Sequence, residues 1–227
     1  MRHHSLSSLR MLLLAAFWLG AVGCAVPEGA ASEARSDAVA AVHDAAGAHA
    51  AHVEPSAHAG APNANGYSLY DLSSTWRDQT GAERRLAELA GRVRVVAMVY
   101  TSCAATCPLI VADLKHVEAS LPAQRRGDVG FVLVSLDPER DTPGRMTEWA
   151  AQTGLDPARW TLLSGDDGAV RELAAALAVR YQTQPDGEVA HTNAITVLDT
   201  DGAVVHQQSG QGDDARVTAA AVARLLR

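Results

Sequence analysis

Two stretches of this chain leave few choices of fold. RVRVVAMVY (92–100) and VGFVLVSL (129–136) are rich in β-branched residues and almost continuously apolar. A strand with one wet face alternates apolar and polar residues, whereas an unbroken apolar run belongs to a strand buried on both faces. A sheet containing two such strands needs helices on either side. Between them, Leu109, Ile110, Ala112, Leu114, Val117 and Leu121 recur at roughly helical spacing, and Pro122 stops the run. Further on, DTPGRMTEWAAQTG (141–154) opens with Asp and Pro and closes on Gly, which is helix punctuation. WTLLSG predicts a short strand and AVRELAAALAVRY another helix. NAITVLD and AVVHQQSG, joined at TDG, predict a hairpin, and an amphipathic helix from about 214 to 226 ends the chain.

Ahead of these elements, YSLYDLSSTWRDQTGAERRLAELAG (67–91) reads as a short strand or hairpin followed by a brief helical patch ending at Gly91. The order βαβαβαββα predicts an α/β protein: a mostly parallel central sheet, an antiparallel hairpin at its end, and helices on both faces. With a cysteine pair directly after an early central strand, that order resembles a thioredoxin-like fold.

The globular part is expected to cover residues 66–227. In front of it, MLLLAAFWLGAVG is an apolar run of 13 residues, preceded by Arg2 and Arg10. It is too short to span a bilayer but fits the apolar core of an export signal. The run ends in AVGC, so residues 1–23 read as a lipoprotein-type signal and Cys24 as the acylated N-terminus. Residues 24–65, rich in Ala, Gly, Ser, Pro and His, bury too little apolar surface to offset their ordering entropy and read as a tether. A flexible segment of that length reaches roughly 35 Å. Together these features predict an exported protein, held by lipid at the periplasmic or extracytoplasmic face of a membrane. The tether histidines His43, His49, His52 and His58 read as soluble linker residues, with weak metal gathering as the alternative.

Removing residues 1–23 takes away Arg2 and Arg10 and no acid, so the net charge moves from −7 to −9. No basic block or stripe appears, which argues against nucleic acid as a partner.

The chemistry concentrates in VYTSCAATCPLIVADL (99–114). An exported protein with three cysteines would leave one unpaired. If Cys24 carries lipid, Cys103 and Cys107 remain as a matched pair. Four residues apart, they share one helical face if a helix begins between them. A disulfide closing so small a ring stabilises a fold poorly. A helix N-terminus favours the thiolate, the form that both metal binding and thiol–disulfide exchange require. The pair therefore reads as chemically active, as metal ligands or as a redox couple. Two thiolates leave a metal short of ligands, and an imidazole would complete a three-coordinate site for Cu(I). His191, in EVAHTNAITVLD, leads into the hairpin strand, and in a thioredoxin-like fold that segment lies beside the dithiol helix. On position alone an ordinary loop histidine is an equally good reading. His116 reads as a surface residue and His206 as part of the hairpin's second strand.

YTSCAATCP, then LVSLDPERDTP, then VAHTNAITVLD, in that order, resemble the SCO/SenC family of copper chaperones for cytochrome c oxidase assembly. The resemblance implies a thioredoxin-like domain binding Cu(I) or Cu(II) through Cys103, Cys107 and His191. It implies as partner a copper-receiving oxidase subunit or another cuproprotein. Ala104 departs from the family's proline after the first cysteine, while Pro108 is kept. Ala190 and Thr192 depart from the family's Asp and Ser beside the histidine. Asp137 and Asp141 match the family pattern and are candidates to orient the site or touch a partner. Asp141 is also a candidate simply to cap the helix that follows.

Two enzymes compete on the same fold. A thiol–disulfide oxidoreductase would use Cys103 and Cys107 as nucleophile and resolving thiol, reducing the cysteines of a cuproprotein client. The CxxxC spacing and the absence of a proline before NAITVLD argue against it as the sole activity. A peroxiredoxin needs a threonine three residues before its reactive cysteine, where this chain has Tyr100 and Ala104.

Overall fold

The computed structural model describes residues 67–210 and 215–227. The expected signal over 1–23, Cys24 as the expected lipidation site, and the expected tether over 24–65 with His43, His49, His52 and His58 lie outside the described residues. A 3-10 turn at Leu69–Asp71 leads into a short hairpin, β1 (Thr75–Asp78) and β2 (Glu83–Arg85), and a second 3-10 turn at Leu86–Leu89. The core elements follow: β3 (Val93–Val99), α1 (Cys107–Ser120), β4 (Val129–Ser135), α2 (Pro143–Gln152), β5 (Trp160–Gly165) and α3 (Asp167–Ala176). A small ribbon, β6 (Tyr181–Thr183) and β7 (Val189–His191), precedes the hairpin β8 (Ala194–Leu198) and β9 (Val204–Ser209). Helix α4 (Ala215–Leu225) comes last.

Seven strands form one sheet in the order β2-β1-β5-β4-β3-β8-β9, and β6 and β7 pair separately. The fold is thioredoxin-like, but the sheet is not mostly parallel as the element order predicts. Only β3–β4 and β4–β5 run parallel; β1–β2, β1–β5, β3–β8 and β8–β9 are antiparallel. Two connections account for the difference. The N-terminal hairpin joins the sheet beyond β5, and β8 returns along β3 in the opposite sense. Right-handed helical crossovers enforce parallel pairing only where a helix links neighbouring strands, as α1 does between β3 and β4.

The central strands are buried as their composition requires. Every residue of β4 is buried, as are Val95 and Val96, neighbours on opposite faces of β3. On one face Val96, Val132 and Val134 meet Leu173 of α3 and Leu69, Leu86 and Leu89 of the two 3-10 turns. On the other, Phe131 stacks on Trp160 with ring centroids 4.6 Å apart, and Trp160 Nε1 donates to Glu118 of α1 at 3.1 Å. Helices therefore cover both faces. Each residue of a buried strand loses solvent on two sides at once, and a buried Val or Leu contributes about 1.5–3 kcal/mol to holding the layers together.

One turn admits only glycine. Gly202, between β8 and β9, has φ of +87°, and a Cβ there would lie 2.5 Å from both Ser68 Oγ and Tyr70 Cδ2. The first 3-10 turn is thereby seated directly on the hairpin, with Leu69 N donating to Gly202 O at 3.0 Å.

Candidate functional site

Strand β3 ends at Val99, and the next eight residues deliver both cysteines. Tyr100 O accepts from Cys103 N at 3.2 Å, turning the chain back before α1 begins at Cys107 with Pro108 in its first turn. Proline fits there because it lacks an N–H that the helix would leave unpaired. Cys103 thus sits in the turn and Cys107 at the helix start, rather than both on a helical face. Both thiols are free and buried.

Their surroundings differ. Cys103 Sγ accepts from the Cys107 N–H at 3.4 Å and lies 3.6 Å from the Thr106 hydroxyl. Burial pushes its pKa up, but the backbone and side chain of Cys107, the Thr106 hydroxyl and the Ala105 N–H outweigh it. The net result is a thiol lowered to about 7. Cys107 is fully buried, and burial drives its pKa well up; the neighbouring Cys103 adds to the shift. One thiol ionises near neutrality while the other stays protonated.

His191 is the third member. It ends β7, paired with Tyr181 across the ribbon, instead of lying in a loop. Its Nε2 is 3.9 Å from Cys107 Sγ. Its Nδ1 is 3.3 Å from the Thr192 carbonyl, and the Tyr100 ring meets it edge-on at 6.1 Å between centroids. Burial lowers the His191 pKa, so the imidazole is neutral and its nitrogen lone pair is available near pH 7. Tyr100 is held in turn: its hydroxyl donates to Glu188 at 2.8 Å and accepts from Val189 N at 3.4 Å. Sequence reasoning missed Tyr100 and Glu188. The only signal was an aromatic residue at the end of a buried strand beside the dithiol.

The two aspartates part company. Asp141 is 1% exposed and accepts from Thr101 N at 3.1 Å, Thr101 Oγ1 at 2.5 Å and Ser135 Oγ at 2.6 Å. It does not cap α2; Thr142 does, its hydroxyl accepting from Arg145 N at 3.3 Å. Asp141 instead bolts the turn that carries Cys103 to the end of β4. Asp137 forms an ion pair with Arg140, whose guanidinium also donates to Gly187 O near the ribbon. His116 is exposed on α1, and His206 Nε2 lies 3.2 Å from Thr218 Oγ1 of α4. Neither joins the site.

Among the described residues no group of three or more His, Cys, Asp or Glu side chains is arranged to grip a metal ion as it stands. The donor set nonetheless fits a soft one. Two donors about 2.0–2.3 Å from a shared ion lie roughly 3.5–4 Å apart, and Cys107 and His191 already meet that separation. Two buried side-chain oxygens, Ser102 Oγ and Asn193 Oδ1, lack hydrogen-bond partners and flank Cys103 and His191 in the chain.

Fold and site together define a thioredoxin-like domain that carries a dithiol with one imidazole against it. The SCO1/SenC family model matches residues 68–227, and the chain belongs to that family. The SCO1 protein homolog of Bacillus subtilis is 28% identical over 139 residues, 60% of this chain and 72% of that protein. The structure of Bradyrhizobium japonicum ScoI with copper bound is 26% identical at a TM-score of 0.53, covering 67% of this chain and 94% of that one. A structure of BsSco describes a disulfide switch in a member of the Sco family of cytochrome c oxidase assembly proteins. It is 25% identical at a TM-score of 0.59, covering 70% of this chain and 96% of that one.

Proposed function

We propose that the protein is a membrane-tethered copper metallochaperone. Its cargo is one copper ion, Cu(I) and in part of its cycle Cu(II), held by Cys103, Cys107 and His191. The recipient is a cytochrome c oxidase subunit or another cuproprotein. The observation that carries this reading is the approach of Cys107 Sγ and His191 Nε2 to 3.9 Å, from segments 84 residues apart. The copper-bound ScoI structure and the oxidase-assembly role stated for BsSco support the choice of metal and client. A lipid on Cys24 and a tether over 24–65 would hold the domain at the outer face of a membrane.

Each residue has a task in this reading. Cys103, ionised near pH 7, offers the first thiolate. Cys107 gives up its proton only as metal replaces it, so loading releases protons and weakens as pH falls. His191, kept neutral by burial, presents Nε2 while Tyr100 limits the swing of its ring. Three ligands leave room for a client donor to enter, so copper passes by ligand exchange. Exchange with an external disulfide, which takes up the two electrons and two protons and leaves as two thiols, would join Cys103 to Cys107, remove both sulfur ligands and switch binding off.

The test is a Cu(I) titration of the reduced full chain against a strong chelator, beside His191→Ala and Cys103→Ser/Cys107→Ser. One tight equivalent is expected. Loss of an outer-shell partner costs a metal site about 10–100-fold, so loss of His191 itself should cost at least about 100-fold. Binding indifferent to His191 would overturn the ligand set.

The unequal thiols favour a second reading, a thiol–disulfide reductase in which Cys103 attacks a client disulfide and Cys107 resolves the mixed disulfide. Rapid reduction of a client's copper-binding cysteines by copper-free protein, without tight copper binding, would select it.

A further inference from the structure

At the end of the sheet opposite the dithiol, the fold gathers arginines that the linear sequence scatters. Arg84, Arg92, Arg94 and Arg159 line one cavity of about 340 Å³, shared with Asp78 and Glu88. Two of the four are neutralised. Arg84 pairs with Asp78 and Glu88 at 2.9 and 3.3 Å, and Arg159 pairs with Glu118 and Asp156 at 2.5 and 2.8 Å. Arg92 and Arg94 form no ion pair among the described residues.

Arg94 is the unusual one. It is half-buried, two residues into β3, and faces Gly130 of β4 in the sheet register. A Cβ at Gly130 would stand 2.0 Å from Arg94 Nη1 and 3.0 Å from its Cζ. The guanidinium therefore lies in space that any other residue at 130 would fill. Its Nε donates to Leu89 O at 2.7 Å, and it also meets the Tyr70 hydroxyl. Burial disfavours its charged form, Tyr70 opposes that, and the like charge of Arg92 adds to it. A charge withdrawn from water with no counter-charge is costly, and an anion entering beside it recovers that cost. Guanidinium groups match the oxygens of a phosphate in a two-pronged geometry.

We propose that Arg92 and Arg94 form a binding site for a phosphate-type oxyanion, with Gly130 as the cradle that lets the Arg94 guanidinium lie flat. The paired Arg84 and Asp78 line the same cavity, as does Arg159, whose charge is met by Glu118 outside it. Such a phosphate is free in solution or is the headgroup of an anionic phospholipid. From Arg94 to Tyr100 the strand runs roughly 20 Å, so the two sites are separate. A headgroup bound here would orient the dithiol end of the domain away from the bilayer.

The experiment uses the full-length protein at ionic strength held constant with chloride, to remove general screening. Inorganic phosphate is titrated while thermal unfolding is followed. In a second arm, flotation compares phosphatidylglycerol with phosphatidylcholine vesicles. Wild type is set beside Arg92→Gln/Arg94→Gln, Arg92→Gln alone and Gly130→Ala. The last leaves the net charge intact and displaces the Arg94 side chain, its guanidinium most of all. Saturable phosphate binding, weakened about tenfold or more in the double variant and severalfold in Gly130→Ala, identifies free phosphate. No saturation with phosphate, but a phosphatidylglycerol preference lost in the same variants, identifies the headgroup. The N-terminal segment contributes equally to wild type and variants, so their difference reports the cavity. Should the double variant not fold, Arg92→Gln and Gly130→Ala decide the matter. Wild type and variants behaving alike in both arms would overturn the proposal.

Discussion

The carboxylate of Asp141 closes on both the N–H and the hydroxyl of Thr101, a residue 40 positions earlier, at 3.1 and 2.5 Å. Thr101 stands two residues before Cys103, and Ser135 donates to the same carboxylate from the end of β4 at 2.6 Å. The turn bearing the more acidic thiol is thus anchored to a central strand through one buried side chain. In Asp141→Ala these donors would be left unpaired in the interior. The expected loss of stability is about 3–5 kcal/mol, read by urea denaturation. Asp137→Ala breaks a partly exposed ion pair with Arg140 and should cost under about 1 kcal/mol. Equal losses at the two positions would refute the anchoring role.

The thiols should separate kinetically. Only the thiolate is alkylated, so the rate of Cys103 modification by iodoacetamide should fall as pH drops through about 7. Cys107 should remain nearly inert across that range because burial keeps it protonated. The sign for stability follows from the depressed Cys103 value. Its contribution is complete above the ordinary thiol range and is lost as pH falls through about 7. Mass spectrometry after timed alkylation assigns the two rates.

Tyr100→Phe keeps the ring against His191 but removes the hydroxyl from Glu188 and from Val189 N. A stability loss of about 1 kcal/mol is expected. Copper affinity should drop by about tenfold, as for an outer-shell partner of a metal ligand. Tyr100→Ala should lose more affinity than Tyr100→Phe. The reverse order would mean that the ring does not position the imidazole.

Gly202→Ala combines a left-handed backbone with a clash against Ser68 and Tyr70. A loss of about 2–4 kcal/mol is expected, visible as a lowered unfolding midpoint. A neutral result would show that the first 3-10 turn moves freely off the hairpin.

Much of this molecule was legible locally. The unbroken apolar runs at 92–100 and 129–136 marked strands buried on both faces, and both are so buried. Pro122 and Gly154 bracket helices because proline removes a donor and glycine accepts φ of +65°, properties a residue carries wherever it sits. Strand partnership is different. The period of side chains along a strand says which faces are buried, not which neighbour completes the hydrogen bonds. The first hairpin's place beyond β5 and the antiparallel return of β8 on β3 thus emerged only in three dimensions.

The site divides in the same way. Cys103 and Cys107 declare themselves by spacing and by the proline that starts α1. His191 gains its position from pairing with Tyr181 and from the Tyr100 ring, contacts that no local pattern encodes. In DTP, Asp141 and Thr142 are equally good helix caps by composition. Buried donors at Thr101 and Ser135 claimed Asp141 and left the cap to Thr142. Arg92, Arg94 and Arg159 formed no basic run, and the sheet brought them to one cavity. Propensity and periodicity act over a few residues and are written in the chain. Pairing, burial of charge and the meeting of donors depend on segments far apart in sequence, and only the folded structure decides them.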